Sequence, residues 1–339
     1  MKKSRVTAIL VAGVMVLTML AGTVSVSADE AEDGKTYKIA NLVKELGMAW
    51  YERQQVGLDE FNEENPGYEA FMVGPEVADA ALQVQIMEDL IAQGVDAITI
   101  VPVSVETLEP VCKKAREAGI VVISHEAAGM ENVDFDLEAF DNAAYGATLM
   151  DTLAELMGEK GQYATMVGFL TSKSHNEWMD AALARQLEAY PDMECVQEKI
   201  EENDDSSKAH DKTQELLKTY PDLAGILCSS MNGTYGVGLA LDEAGAGEKV
   251  AAAGTCIASV SGEFLETGAL DFTACWDPAG AGYGLNKVAK MVLDGEADQL
   301  GEGTDLGYKG YESLTIADKT LYGNDVIILT AENKDDYPF

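Results

Sequence analysis

The chain has 339 residues and a formal net charge of -36, from 59 acidic against 23 basic side chains. That excess of carboxylates excludes nucleic acid and anionic lipid as partners, since like charges repel, and its plain role is solubility. Five widely spaced cysteines, Cys112, Cys195, Cys228, Cys256 and Cys275, show neither a C-x-x-C pair nor zinc-ligand spacing. An odd number cannot form a complete disulfide set, and without zinc-ligand spacing no metal is expected, so the thiols read as small buried hydrophobes. Cys256 and Cys275 are the one pair that neighbouring strand ends would bring within bonding reach.

The first 28 residues read as an export signal. Lys2, Lys3 and Arg5 precede an apolar core over 6–21, and Val26-Ser27-Ala28 supplies the small-residue cleavage pattern. Its removal takes three basic residues and moves the charge from -36 to -39. Thr23 follows Leu20-Ala21-Gly22 where a lipoprotein would need Cys, so lipid anchoring is not expected. The chain is expected at the periplasm or the outer face of the cell envelope, after a linker over 29–35.

From there strands and helices alternate. Strands are predicted over 37–43, 69–73, 97–101 and 120–124, with helices over 50–64, 78–92 and 105–118 between them. The strands are short, Val- and Ile-rich runs bounded by Gly, Pro or Asp, as strands buried on both faces read. An extended stretch, 132–140, breaks the rhythm, and Asp141-Asn142 opens a helix to Met157. The cycle then repeats: strands over 163–168, 194–200, 224–228, 250–254 and 270–275, helices over 176–189, 206–219, 232–243 and 260–266. A final helix, 284–293, has no strand left in the second half and is expected to return to the first. Weak strand signals follow 297, notably 326–329. The fold class is α/β, with two doubly wound parallel-sheet domains. The expected boundaries are 36–139 plus 277–299 for the first lobe and 140–276 plus 300–339 for the second.

Open parallel sheets bind ligands beyond the carboxyl ends of their strands. Those ends carry Lys44 with 48–51, 102–104 and His125-Glu126 in the first half. In the second they carry 172–178, 229–232, Thr255-Cys256 and Trp276-Asp277. Aromatic faces mixed with donors and acceptors are what a sugar needs. Catalysis has little support: the only histidines are His125, His175 and His210, and no G-x-S-x-G or H-E-x-x-H occurs. A triad of Ser124, His125 and Glu126 fails because adjacent strand residues point to opposite faces. The glycines at 280, 282 and 284 do not complete a dinucleotide fingerprint and instead let a helix start pack closely. No cofactor is expected.

"VDAITIVPVSVETLEPVCKKAREAGIVVISHE" (95–126), "NEWMDAAL" (176–183), "CWDPAG" (275–280) and "IILTAENKDDYPF" (327–339) resemble the type I periplasmic sugar-binding proteins that feed ABC transporters. The likeness is strongest to the rhamnose and autoinducer-2 branch. It implies two lobes joined by three crossovers, near 126–141, 275–277 and 297–303, closing on a small neutral sugar that a monomer hands to a membrane permease. A sensory module presenting its ligand to a membrane kinase or chemoreceptor is the alternative. By resemblance, Trp50 is the ring-stacking aromatic and Glu126 replaces an Asp that grips ligand hydroxyls. Asn232 stands where sugar binders carry Asn, and Trp276 and Asp277 match the branch. Asn41 stands where the autoinducer binder has a ligand Lys, unless Lys44 takes that place. Ser174 and His175 replace an Asp-Gln pair, Ser229 and Met231 replace Pro and Ala, and Cys256 stands where pentose and hexose binders place Asp. With Asp141 and Trp178 these complete the expected ligand-binding set, whose departures favour a deoxy sugar or uncommon pentose over autoinducer-2 or ribose.

Overall fold

The computed structural model describes residues 35–339; the expected export signal and all but the last residue of the linker lie outside the described residues. The first half runs β1 (Tyr37–Leu42), α1 (Ala49–Glu64), β2 (Tyr68–Val73), α2 (Ala80–Gln93), β3 (Ala97–Ile100), α3 (Val105–Glu117), β4 (Val121–Ser124) and β5 (Phe135–Glu138). The second runs α4 (Asn142–Met157), β6 (Gly161–Val167), α5 (Lys173–Ala189), β7 (Met193–Glu201), α6 (Ser206–Thr219), β8 (Leu223–Cys228), α7 (Met231–Ala244), β9 (Ala251–Thr255), α8 (Ala258–Thr267) and β10 (Phe272–Cys275). Then come α9 (Pro278–Leu293), β11 (Thr315–Ala317), β12 (Thr320–Tyr322) and β13 (Ile327–Leu329).

Two sheets result, ordered β11-β12-β5-β4-β3-β1-β2 and β13-β10-β9-β8-β6-β7. Their central pairs are parallel, while β11–β12 and β10–β13 are antiparallel. Every residue of β3 and β10 is buried, because helices cover both faces and leave no position where a polar side chain would reach water. Helix α3 shows the complementary pattern: Leu108, Val111, Cys112 and Ala115 form one buried stripe at helical spacing.

The chain changes sheets three times: between β5 and α4, between β10 and α9, and between β12 and β13. The first two lie at 139–141 and 276–277. The third departs from expectation: β12 pairs with β5, Leu321 opposite Leu137, so this passage lies at 323–326 and not at 297–303. Residues 315–322 therefore extend the first sheet, against the assignment of everything from 300 onward to the second lobe. Two three-residue strands joined by a tight turn are too short to show a period, and only their pairing reveals them.

Helix α9 starts at Pro278, six residues ahead of the predicted Gly284. Asp277 accepts a hydrogen bond from Ala279 N at 2.9 Å and Pro278 occupies the first turn, where its missing N–H costs nothing. The glycines that obscured this start allow α9 to touch α1. A Cβ on Gly57 would lie 1.9 Å from the Ala279 carbonyl oxygen, and one on Gly282 2.7 Å from that of Gln54. All five cysteines are free, including Cys256 and Cys275, whose burial pushes both thiols far up.

Candidate ligand-binding site

The carboxyl ends of strands from both sheets meet around one small cavity, with about 40 Å³ open to the centre of a water molecule. Lys44, Met48, Trp50 and Tyr51 come from the β1–α1 segment, Glu126 from beyond β4, and His175 and Trp178 from the first turns of α5. Asp204, Ser229, Met231, Thr255 and Trp276 complete the wall from the ends of β7 to β10.

Trp276 is the floor. It is 2% exposed, and its ring centroid lies 4.6 Å from Trp50, 5.3 Å from Phe140 and 5.8 Å from Trp178, each contact edge-on. Edge-on packing suits the ring quadrupoles and fixes the indoles against one another. Trp178 donates its Nε1–H to Asn142 Oδ1 at 2.6 Å, which fixes that ring. The Nε1 of Trp276 and the Nδ1 of His175 are buried without a hydrogen-bond partner. Buried polar atoms in that state want one, and a polyol supplies it.

Charge in the site is paired. Lys44 Nζ donates to Glu126 Oε2 at 2.7 Å, and Ser174 Oγ donates to the same oxygen at 3.0 Å. Burial alone would raise the Glu126 pKa, but Lys44, with His125 and His175 nearby, overcomes it and brings the carboxyl down to about 2. Burial, with Lys44, lowers His175 to about 3, so its ring is neutral at ordinary pH. His125 is likewise lowered by burial, and its Nδ1 sits against the Leu137 carbonyl. Glu126 has φ +56°, a left-handed backbone that a non-glycine residue holds only under compulsion.

Of the residues the sequence proposed, Lys44, Trp50, Glu126, His175, Trp178 and Trp276 line the cavity. Ser174 stands behind Glu126 as its donor. Four belong elsewhere. Asn41 exchanges amide hydrogen bonds with Asn286 at 3.0 Å and accepts from Thr99 at 2.8 Å, which ties β1 and β3 to α9 inside the core. Asp141 is exposed and caps α4, accepting from Ala144 N. Asn232 donates to the Asp204 carbonyl at 2.8 Å, bracing the loop that carries Asp204. Asp277 is gripped by Arg53 through two bonds of 2.8 and 2.6 Å. Each polar side chain found a partner in the protein, which a strand-end position cannot foretell. Asp204 was missed because the segment after β7 was left out of the strand ends. Its signal was there: Asn203-Asp204 sits between strand and helix, and these residue types tolerate the left-handed backbone that both adopt, with φ of +60° and +50°.

Comparison with known proteins agrees with this architecture. The family model described as "Periplasmic binding protein domain" matches residues 39–297, so the chain belongs to the periplasmic binding proteins. These are solute-binding proteins and not enzymes, which closes the catalytic reading of His125. The D-ribose/D-allose-binding protein of Pseudomonas aeruginosa is 33% identical over 112 residues, 32% of this chain and 35% of that protein's length. The chain's match thus spans only about a third of this relative. Among solved structures, an L-rhamnose-bound ABC transporter solute-binding protein from Clostridium phytofermentans aligns with a TM-score of 0.80 at 20% identity, covering 89% of this chain and 98% of that one. LsrB from Clostridium saccharobutylicum, in complex with AI-2, aligns with a TM-score of 0.81 at 19% identity, covering 89% and 100%. At such identities these two likenesses establish the fold. Among the described residues no helix is long and apolar enough to cross a membrane.

Proposed function

We propose that the protein is an exported solute-binding protein that captures a small neutral sugar between two lobes and delivers it to an ABC permease. The ligand class is a deoxy sugar, a pentose or an autoinducer-2-like sugar. One observation carries the reading: three tryptophans enclose a cavity whose unpartnered polar atoms, Trp276 Nε1 and His175 Nδ1, lie beside a charge pair already neutralised within the protein. Indole walls accept the apolar face of a sugar ring, and the unpartnered atoms serve its hydroxyls. Two of the ligands named for the relatives, the pentose ribose and the deoxyhexose rhamnose, are of this class. The two sheets with their helices act as the lobes, and the three passages between them as the hinge.

Isothermal calorimetry against pentoses, deoxyhexoses and autoinducer-2 tests the proposal. Saturable binding of one or more is expected, unaffected by EDTA and only weakly dependent on salt, since hydrogen bonds to an uncharged polyol are hardly screened. Absence of binding across the panel would refute it, and a strain lacking the gene that still imports the bound sugar normally would refute delivery.

A further inference from the structure

Two of the carboxylates expected to bind ligand, Glu126 and Asp277, are committed inside the protein. Glu126 is bonded to Lys44 and Ser174, and Asp277 to Arg53 through both oxygens. The cavity has one more carboxylate, Asp204, and among the described residues no Lys, Arg or His is in ion-pairing contact with it. It is 9% exposed, so water does not solvate it freely.

Its position is built. Asn203 and Asp204 are consecutive non-glycine residues in the left-handed region, an arrangement that persists only where surroundings impose it. Asn203 N donates to the Gly168 carbonyl at 2.6 Å, and Asn232 Nδ2 holds the Asp204 carbonyl at 2.8 Å. Gly168 gives the carboxylate its seat: a Cβ there would lie 2.5 Å from Asp204 Oδ1. The Ser230 hydroxyl behind it donates to Glu202, whose other oxygen accepts from Asp205 N at 3.0 Å. Burial raises Asp204, Lys44 and a side-chain hydrogen bond with Ser230 act against it, and the neighbouring Glu126 and Glu45 raise it further.

We infer that Asp204 is the specificity-determining carboxylate of this cavity, accepting hydrogen bonds from hydroxyls on one edge of a sugar ring packed among Trp50, Trp178 and Trp276. The inference rests on the sugar-binding reading of the same site. With Lys44 taken up by Glu126, Asp204 leaves the cavity an acceptor of negative charge, so it favours hydroxyl donors and disfavours sugar acids and sugar phosphates.

Calorimetry with L-rhamnose, D-ribose and D-arabinose on the wild type comes first, followed by Asp204→Asn with whichever sugar binds and with its monodeoxy analogues. Hydrogen bonds to a charged acceptor are strong, so Asp204→Asn should lose about tenfold or more in affinity. Its unliganded melting temperature should not fall, because a buried charge is removed without a cavity. One monodeoxy analogue, rejected by the wild type, should no longer be rejected by the variant, an outcome that a merely structural role would not produce. Asp204→Gly, which adopts the left-handed backbone freely, is the second variant and should show the same loss. Wild-type binding with an unchanged affinity in both variants, or a loss that leaves the deoxy discrimination intact, overturns this inference alone. No binding of any of the three sugars by the wild type overturns it together with the sugar reading of the cavity.

Discussion

Lys44 and Glu126 bury opposite charges 2.7 Å apart beside three indole rings, each with a side chain only 7% exposed. Removing one partner of such a pair leaves the other uncompensated, at a cost of about 3–5 kcal/mol, whereas replacing both is far cheaper. Glu126→Gln should therefore lower the midpoint of chemical denaturation strongly, and adding Lys44→Met should recover much of the loss. Additive single and double variants would show that the pair is not coupled. Trp276→Ala should weaken sugar binding by about thirtyfold or more, corresponding to about 2 kcal/mol for a lost aromatic anchor. Because truncating a buried aromatic also costs about 3–5 kcal/mol of stability, Trp276→Phe is the fairer test of binding. Native-like affinity in a folded Trp276→Phe would mean that a phenyl ring serves as well, while native-like affinity in Trp276→Ala would remove the residue from the site. The sequence named all three indoles that line the cavity, Trp276 from its strand-end position and Trp50 by resemblance. Asn41, Asp141, Asn232 and Asp277 do not line the cavity, because a polar side chain there is equally suited to a cap, a core amide pair or a salt bridge.

At the level of elements, α1 and α9 pack so closely that Gly57 meets the Ala279 carbonyl with no space for a methyl group. Gly57→Ala forces the helices apart, and overpacking of this kind costs about 1–3 kcal/mol. Trp50 and Arg53 ride on the same helix, two turns or less before Gly57, so the variant should lose sugar affinity as well as melting temperature. A variant destabilised with unchanged affinity would show that the seam does not position the cavity wall. The alternation of strands and helices was readable along most of the chain, since buried parallel strands and amphipathic helices impose different periods. The start of α9 was not, because its first turns are glycine and alanine packed on all sides. Nor were β11 and β12, whose three residues each carry no period at all.

Over the whole molecule, the three passages at 139–141, 276–277 and 323–326 predict closure of the halves about a common axis. Small-angle scattering should give a smaller radius of gyration with saturating sugar than without, and equal values would indicate a rigid, preformed site. Acidity has its own consequence. Burial raises Asp325 to about 6, and burial together with repulsion from nearby carboxylates raises Asp136, Glu138, Glu202 and Asp204. A carboxylate held above its unfolded pKa binds its proton more tightly when folded, so its contribution to stability grows as pH falls through the folded value. His125 and His175, lowered by burial, act oppositely once the unfolded imidazoles titrate below about 6.5. With five carboxylates against two histidines, Tm should be higher at pH 6 than at pH 8. A Tm at pH 8 equal to or above that at pH 6 would mean that these carboxylates gain no proton affinity on folding. The aromatic floor carries a last implication. The chain's three tryptophans are Trp50, Trp178 and Trp276, and all of them border the one cavity. Intrinsic fluorescence excited at the indole band therefore originates entirely at this cavity, so a titration of the unlabelled protein's emission with the bound sugar is expected to trace the calorimetric isotherm.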